Sequence, residues 1–306
     1  MGEESGSAAS VVSIPDDEQF DVTKEYSDKE LALIANTVRK DIVRMLAEAK
    51  SGHSGGSLGL ADIFTVLYFR VMKHKPSDPF WPERDIFILS NGHVVPVRYA
   101  VMARAGYLPV KELLTLRKLG TRLQGHPHRG DLPGLETSAG SLGQGLSIAV
   151  GAAYGLKMDG KPNTVFCSMG DGELQEGSIW EAAMAAGHYK LDNLIGFVDR
   201  NMLQIDGNTE DVMKLEPLAD KWKSFNWEVI EANGHSIKEI TEAFEKAKAV
   251  KGKPAVILFH TKMGKGVSFM EDKAEWHGKP PSIDEMKKAL EELQETEEKI
   301  KAGEVM

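Results

Sequence analysis

Residues 164–177 read Thr-Val-Phe-Cys-Ser-Met-Gly-Asp-Gly-Glu-Leu-Gln-Glu-Gly. A run of apolar and small residues passes directly into Gly170-Asp171-Gly172, the pattern of a fully buried strand that ends in a sharp turn. Such a strand needs helices on both faces of its sheet, and the flanking sequence supplies them. Further short apolar runs occupy residues 85–89, 194–198, 227–230 and 255–259, with helical patterns at 94–105, 146–156, 178–190, 218–225 and 237–250. This alternation predicts an α/β fold: a mostly parallel sheet with helices on both faces.

Working outward, Ser27-Asp28-Lys29-Glu30 has capping-box spacing, and Leu31, Ile34, Val38, Ile42, Met45 and Leu46 follow at helical intervals. Glycines at 52, 55 and 56 stop that helix. A second, over residues 58–71, is apolar on most sides and so is expected to be buried. Ser236-Ile237-Lys238-Glu239 and Ser282-Ile283-Asp284-Glu285 repeat the capping-box spacing, the latter opening a charged last helix. Residues 1–20 are rich in Ser, Gly and acids without a period, and are expected to form a flexible tail ahead of one domain over 21–306.

Composition removes several function classes. Among 306 residues, 37 Lys and Arg face 46 Asp and Glu, a formal charge of −9, which disfavours a general nucleic-acid surface. The single cysteine, Cys167, excludes an internal disulfide and a multi-cysteine zinc site. No apolar run approaches the ~18 residues of a membrane span, and the polar N-terminus is unlike a secretory signal, so a cytoplasmic protein is expected.

Ligands of such sheets collect at the carboxyl ends of the strands. There Asp171 supplies a carboxylate and the next strand ends in Asp199-Arg200-Asn201, with a carboxamide. Hard oxygen donors of this kind suit Mg²⁺ or Ca²⁺ bridging to phosphates, not zinc. An isolated Gly-Asp-Gly is, however, more often a plain turn. Gly140-Ser141-Leu142-Gly143-Gln144-Gly145 opens a small-residue helix and reads either as a backbone N–H cradle or as close packing on the sheet. His53, His93, His126 and His277 each adjoin a glycine, which keeps a loop open to substrate; a lone histidine is also commonly a structural hydrogen-bonding residue.

Taken together the blocks are specific. Gly52-His53-Ser54-Gly55-Gly56, Ser90-Asn91-Gly92-His93, Gly125-His126-Pro127, Gly140 to Gly145, Gly170-Asp171-Gly172-Glu173 and Asp199-Arg200-Asn201 resemble the N-terminal, diphosphate-binding half of transketolase. Leu132-Pro133-Gly134, Ile205-Asp206-Gly207 and His277-Gly278 extend the likeness over residues 25–280. The resemblance implies thiamine diphosphate with Mg²⁺ (Ca²⁺ or Mn²⁺ as substitutes), held by Asp171, Asn201 and the Leu203 carbonyl. It implies cofactor contacts from His53, His93, Gly140, Ser141, Leu142, Gly172, Glu173, Asn201 and His277. Catalytic roles fall to His53, His93, His126 and His277, and subunit-interface carboxylates to Glu176 and Glu181. The implied reaction moves a two-carbon ketol unit from a ketose phosphate to an aldose phosphate, with imidazoles handling substrate protons.

Transketolases continue into a pyrimidine-binding domain and a C-terminal domain, whereas this sequence stops at Met306 after the charged helix. The expectation is the N-terminal subunit of a split, α₂β₂ enzyme whose second chain carries the missing half, with a truncated fragment as the other reading. Three positions depart from the family pattern: His128 where an acid follows His-Pro, Ser141 in place of proline, and Arg200 before Asn201. A deoxyxylulose-phosphate-synthase-like thiamine enzyme and a non-catalytic scaffold of the same fold are the alternatives.

Overall fold

The structure, a computed structural model, describes residues 12–304. Five parallel strands form the central sheet: β1 (Ile86–Leu89), β2 (Val165–Gly170), β3 (Leu194–Arg200), β6 (Glu228–Asn233) and β7 (Ala255–His260), in the spatial order β1-β2-β3-β7-β6. A small antiparallel hairpin, β4 (Leu203–Gln204) with β5 (Gly207–Asn208), follows β3. The predicted strands are all present and, in the main sheet, all parallel.

Alternation along each strand builds two cores. Phe87, Phe166, Ile195, Phe197, Ile257 and Phe259 point into one, under α1 (Asp28–Ala49), α3 (Ala61–Val66), α4 (Val95–Arg104), α9 (Ile237–Ala249) and α10 (Ile283–Ala302). Ile88, Val165, Cys167, Leu194, Val198, Val256 and Leu258 point into the other, under α5 (Gln144–Met158), α6 (Gly177–His188) and α8 (Leu218–Ser224). Period-2 side-chain direction thus turns unbroken apolar strand sequence into two buried faces. Short helices α2 (Gly55–Gly59) and α7 (Thr209–Val212) complete the order.

The helix starts follow their caps. Ser27 and Ser282 each form the full capping box with Glu30 and Glu285. Ser236 accepts from the Glu239 N–H, but the Glu239 carboxylate turns to the Asn233 N–H at 3.0 Å, so only half of that expected box forms. The buried helix expected over 58–71 is divided into α2, α3 and a π-helical turn over Leu67–Val71.

Part of the expected tail, residues 1–11, lies outside the described residues. Residues 12–20 lie against the body instead of standing off it. Val12 and Ile14 are buried, Arg104 donates to the Asp16 and Glu18 carbonyls, and Gln19 donates to the Ala103 and Leu108 carbonyls. Acidic composition hid two apolar anchors and a set of main-chain acceptors. Among the described residues, no helix is long and apolar enough to cross a membrane.

Candidate active site

The carboxyl ends of β1, β2, β3 and β7 open onto a cavity of about 390 Å³, within the usual range for small-ligand sites. Loops carry four histidines to it: His53 ahead of α2, His93 just beyond β1, His126 in the long segment before α5, and His277 after β7. Their rings form one cluster, with centroids 5.1 Å apart for His53 and His93, 6.2 Å for His53 and His126, 6.0 Å for His53 and His277, and 5.1 Å for His93 and His277. Residues up to 224 positions apart in sequence are thereby brought within one ring contact, which no local packing need explains.

Burial disfavours imidazolium at all four. It takes His53 down to about 4, helped by His277, Arg117 and His126, and His93 down to about 3, helped by its three neighbouring imidazoles. His126 is lowered by burial and then by Arg117; His277 is lowered by burial. The rings are therefore neutral at pH 7, and the buried Nδ1 of His53 has no partner among the described residues.

Oxygen donors form the opposite wall. Asp171 follows β2 directly; its Oδ1 accepts from the Gly172 N–H at 2.7 Å and its Oδ2 from the Met202 N–H at 2.7 Å. The second bond ties the end of β2 to the 201–203 loop. Asn201 donates to Asp199 Oδ2 at 2.9 Å, and its own carbonyl oxygen accepts from the Leu203 N–H at 2.9 Å. Burial raises Asp171 to about 6 against the pull of Arg200, and raises Asp199 to about 7 against hydrogen bonds from Thr261 and Asn201. Arg200, one of the departures noted in the sequence, pairs with Asp171 at 3.2 Å, Glu210 at 3.0 Å and Glu216 at 2.8 Å. It supplies the positive charge behind the buried carboxylate.

Other expected residues fall into three groups. Gly140, Leu142, Gly172, Glu173, Asn201 and Leu203 line the cavity, whereas Ser141 is not part of its wall. The Glu173 carboxylate is taken up by the Ser90 hydroxyl, the Gly143 N–H at 2.8 Å and the Gly170 N–H at 3.1 Å. Ser90 in turn accepts from the Gly145 N–H at 3.0 Å, so this buried glutamate pins the start of α5 to the ends of β1 and β2. The turn there needs Gly143, at φ +82°. Glu176 and Glu181 are exposed, away from the cavity wall, at the start and on the outer face of α6. Asn91, Asp199, Ile205 and Met263 also line the cavity and were not among the expected site residues. The first three sit in motifs that could have marked them, whereas nothing in the sequence around Met263 singles it out. A larger groove of about 720 Å³ between residues 15–44 and α10 shares no residue with this site.

The sequence matches the family described as "Transketolase, thiamine diphosphate binding domain" over residues 30–300. The chain belongs to the transketolase family. It is 46% identical over 260 residues to a 6-deoxy-6-sulfo-D-fructose transketolase subunit of Clostridium sp. (strain MSTE9), covering 85% of this chain and 94% of that one. It is 42% identical to an apulose-4-phosphate transketolase subunit of Phocaeicola vulgatus, covering 88% and 96%. Against transketolase of Pongo abelii it is 41% identical over 80% of this chain but only 39% of that protein. The solved transketolase of Campylobacter jejuni superposes with a TM-score of 0.83 at 36% identity, covering 88% of this chain and 43% of that chain. The transketolase likeness read from the motifs and the parallel α/β fold are both borne out. The chain spans less than half of the solved transketolase it matches.

Thiamine diphosphate is a polyanion, and its family domain must offer hard oxygen donors for an accompanying cation beside room for the organic rings. The residues present fit that demand. A carboxylate, a carboxamide and a main-chain carbonyl adjoin through the Asp171–Met202 bond, while His53 Nδ1 and Asn91 Oδ1, without partners among the described residues, belong to residues of the same cavity wall.

Proposed function

We propose that this chain is the thiamine-diphosphate-binding subunit of a two-chain transketolase, moving a two-carbon ketol unit from a ketose phosphate to an aldose phosphate. The observation that carries the reading is the four-histidine cluster facing Asp171 and Asn201 across one cavity. In this reading Asp171, Asn201 and the Leu203 carbonyl hold Mg²⁺, and Gly140, Leu142, Gly172 and His93 contact the cofactor. Bound thiamine diphosphate supplies the electron sink that carbon–carbon cleavage beside a ketone requires.

This chain's own residues handle substrate oxygens. A neutral imidazole donates a hydrogen bond to a carbonyl oxygen without placing a charge in the cavity, and its other nitrogen accepts from a hydroxyl. His53 and His277 are assigned to the reacting carbons, and His126, the least buried of the four, to the donor's terminal hydroxyl. An anion in the cavity raises all four pKa values toward neutrality, which fits them for proton transfer once cofactor and substrate are in place.

The coverage of relatives supports the two-chain assembly: nearly all of two proteins named as subunits, and 39% of the Pongo abelii protein named simply transketolase. Glu176 and Glu181, exposed at the start of and on α6, are assigned to the assembly face, as are Met184 of α6 and Ile148 and Met158 of the adjoining α5, all exposed. The test is to mix this chain with one carrying the pyrimidine-binding and C-terminal domains, add cofactor and Mg²⁺, and follow ketol transfer. Activity in the mixture alone is expected; full activity of this chain by itself would overturn the reading.

A further inference from the structure

Arg117 is not part of the cavity wall, yet it touches both of the loops that carry His53 and His126. Its Nη1 donates to Ser51 Oγ at 3.0 Å, two residues before His53, and its Nη2 donates to the Gly125 carbonyl at 3.3 Å, one residue before His126. The backbone at Arg117 is left-handed, φ +59°, and its N–H closes a turn onto the Leu123 carbonyl at 2.9 Å. A non-glycine residue in that region is uncommon, and the turn folds segment 117–123 back so that the side chain spans the two loops.

The residue before His126 makes room for it. A Cβ on Gly125 would stand 2.5 Å from Arg117 Cζ and 2.6 Å from Nε, whereas one on Gly52 would meet Leu46 Cδ2 at 2.5 Å and leave Arg117 in ordinary contact at 3.7 Å. Neighbouring Lys118 pairs with Glu48 at 2.6 Å, but among the described residues no ion pair includes Arg117. Its charge is left for the imidazoles. The titratable and charged groups facing His53 are His93, His126, His277 and Arg117; those facing His126 are Arg117, His53 and His93.

We propose that Arg117 is a positioning residue of the histidine cluster: it clamps the His53 loop to the His126 loop and holds an unpaired positive charge beside both rings. The clamp sets the separation of the two imidazoles, and the charge adds to burial in favouring the neutral form that offers one donor and one acceptor. What the rings act on rests on the ketol-transfer reading; their titration does not.

Imidazole titration of the purified chain, followed by NMR, tests the charge. In Arg117→Met the His126 midpoint is expected to rise by about half a pH unit or more, with His53 moving the same way, as loss of a nearby unit charge dictates. Arg117→Lys, which keeps the charge, is expected to restore most of the lowering. In the reconstituted pair, the acid limb of kcat/KM should move upward with Arg117→Met and return with Arg117→Lys. Gly125→Ala displaces the guanidinium at the flexible end of its side chain and should raise the His126 midpoint in a chain that keeps Arg117. Unchanged midpoints in a folded Arg117→Met chain, or a lysine variant that titrates like the methionine variant, would overturn the proposal. If Arg117→Met does not fold, an unchanged His126 midpoint in Gly125→Ala overturns it instead. Shifted midpoints in a chain whose wild-type pair shows no ketol transfer would uphold the clamp and remove the functional reading.

Discussion

Asp171 and His126 face the same cavity but differ in what holds them. Asp171 is buried, bonded by the Gly172 and Met202 N–H groups and backed by Arg200. Its position is set before any ligand arrives, which suits a group that anchors a cation. His126 is half-buried in a long loop, its ring meeting the edge of His53. Asp171→Ala is therefore expected to weaken Mg²⁺-dependent thiamine diphosphate binding by more than about 100-fold by calorimetry, as loss of a metal ligand should exceed loss of an outer-shell partner. His126→Ala is expected to leave binding largely intact and lower turnover by about 10²- to 10⁴-fold. Equal cofactor affinity in parent and Asp171→Ala would sink the metal assignment.

At the scale of elements, the sheet is organised around β3. Phe197, fully buried at its centre, has ring centroids 6.3 Å from Phe64, 6.0 Å from Phe87, 5.7 Å from Phe244 and 6.2 Å from Phe259. It joins three strands to α3 and α9. Phe197→Ala should cost about 3–5 kcal/mol, read as a lower urea midpoint, because no single neighbour can fill the space. The last helix is held differently. Asn36 of α1 donates to the Leu293 carbonyl at 2.8 Å, Lys40 donates to Gln294 at 2.8 Å, and the Ser282 box starts the helix. Ser282→Ala should cost about 1 kcal/mol in the same assay. Strands and helices were legible because their apolar periods are local. The half-formed box at Ser236 was not, because its glutamate answers to Asn233 at the end of β6, a neighbour only once β6 and α9 are packed.

For the whole molecule, the four-histidine cluster is also a liability in acid. Each folded value lies below the ~6.5 of an exposed imidazole, so as pH falls the unfolded chain takes up protons first. Stability that is fully present above about pH 6.5 is lost progressively toward about 4 and about 3, where His53 and His93 ionise in the fold. Asp171 and Asp199, raised to about 6 and about 7, act in the opposite sense and favour the fold as pH drops through those values. Replacing one ring isolates its share. The melting temperature of His93→Gln relative to the parent should rise steadily between pH 7 and pH 4. A difference that ignores pH would show that His93 is not held neutral.

The sequence by itself determined the α/β class, the boundaries of the main-sheet strands and of most long helices to within a few residues, though not the division of 58–71 or the β4–β5 hairpin, and the family, because each depends on local periodicity or on contiguous motifs such as residues 170–177. It also named the four histidines, though each alone was as readily a structural residue. Only the tertiary structure decided that these rings form one partly buried cluster, that Glu173 clamps the start of α5, that Arg200 backs Asp171, and that Arg117 bridges two loops. Those are contacts between segments tens to hundreds of residues apart. Their burial and fields arise when the parallel sheet brings its strand ends to one edge, and no stretch of sequence carries them alone.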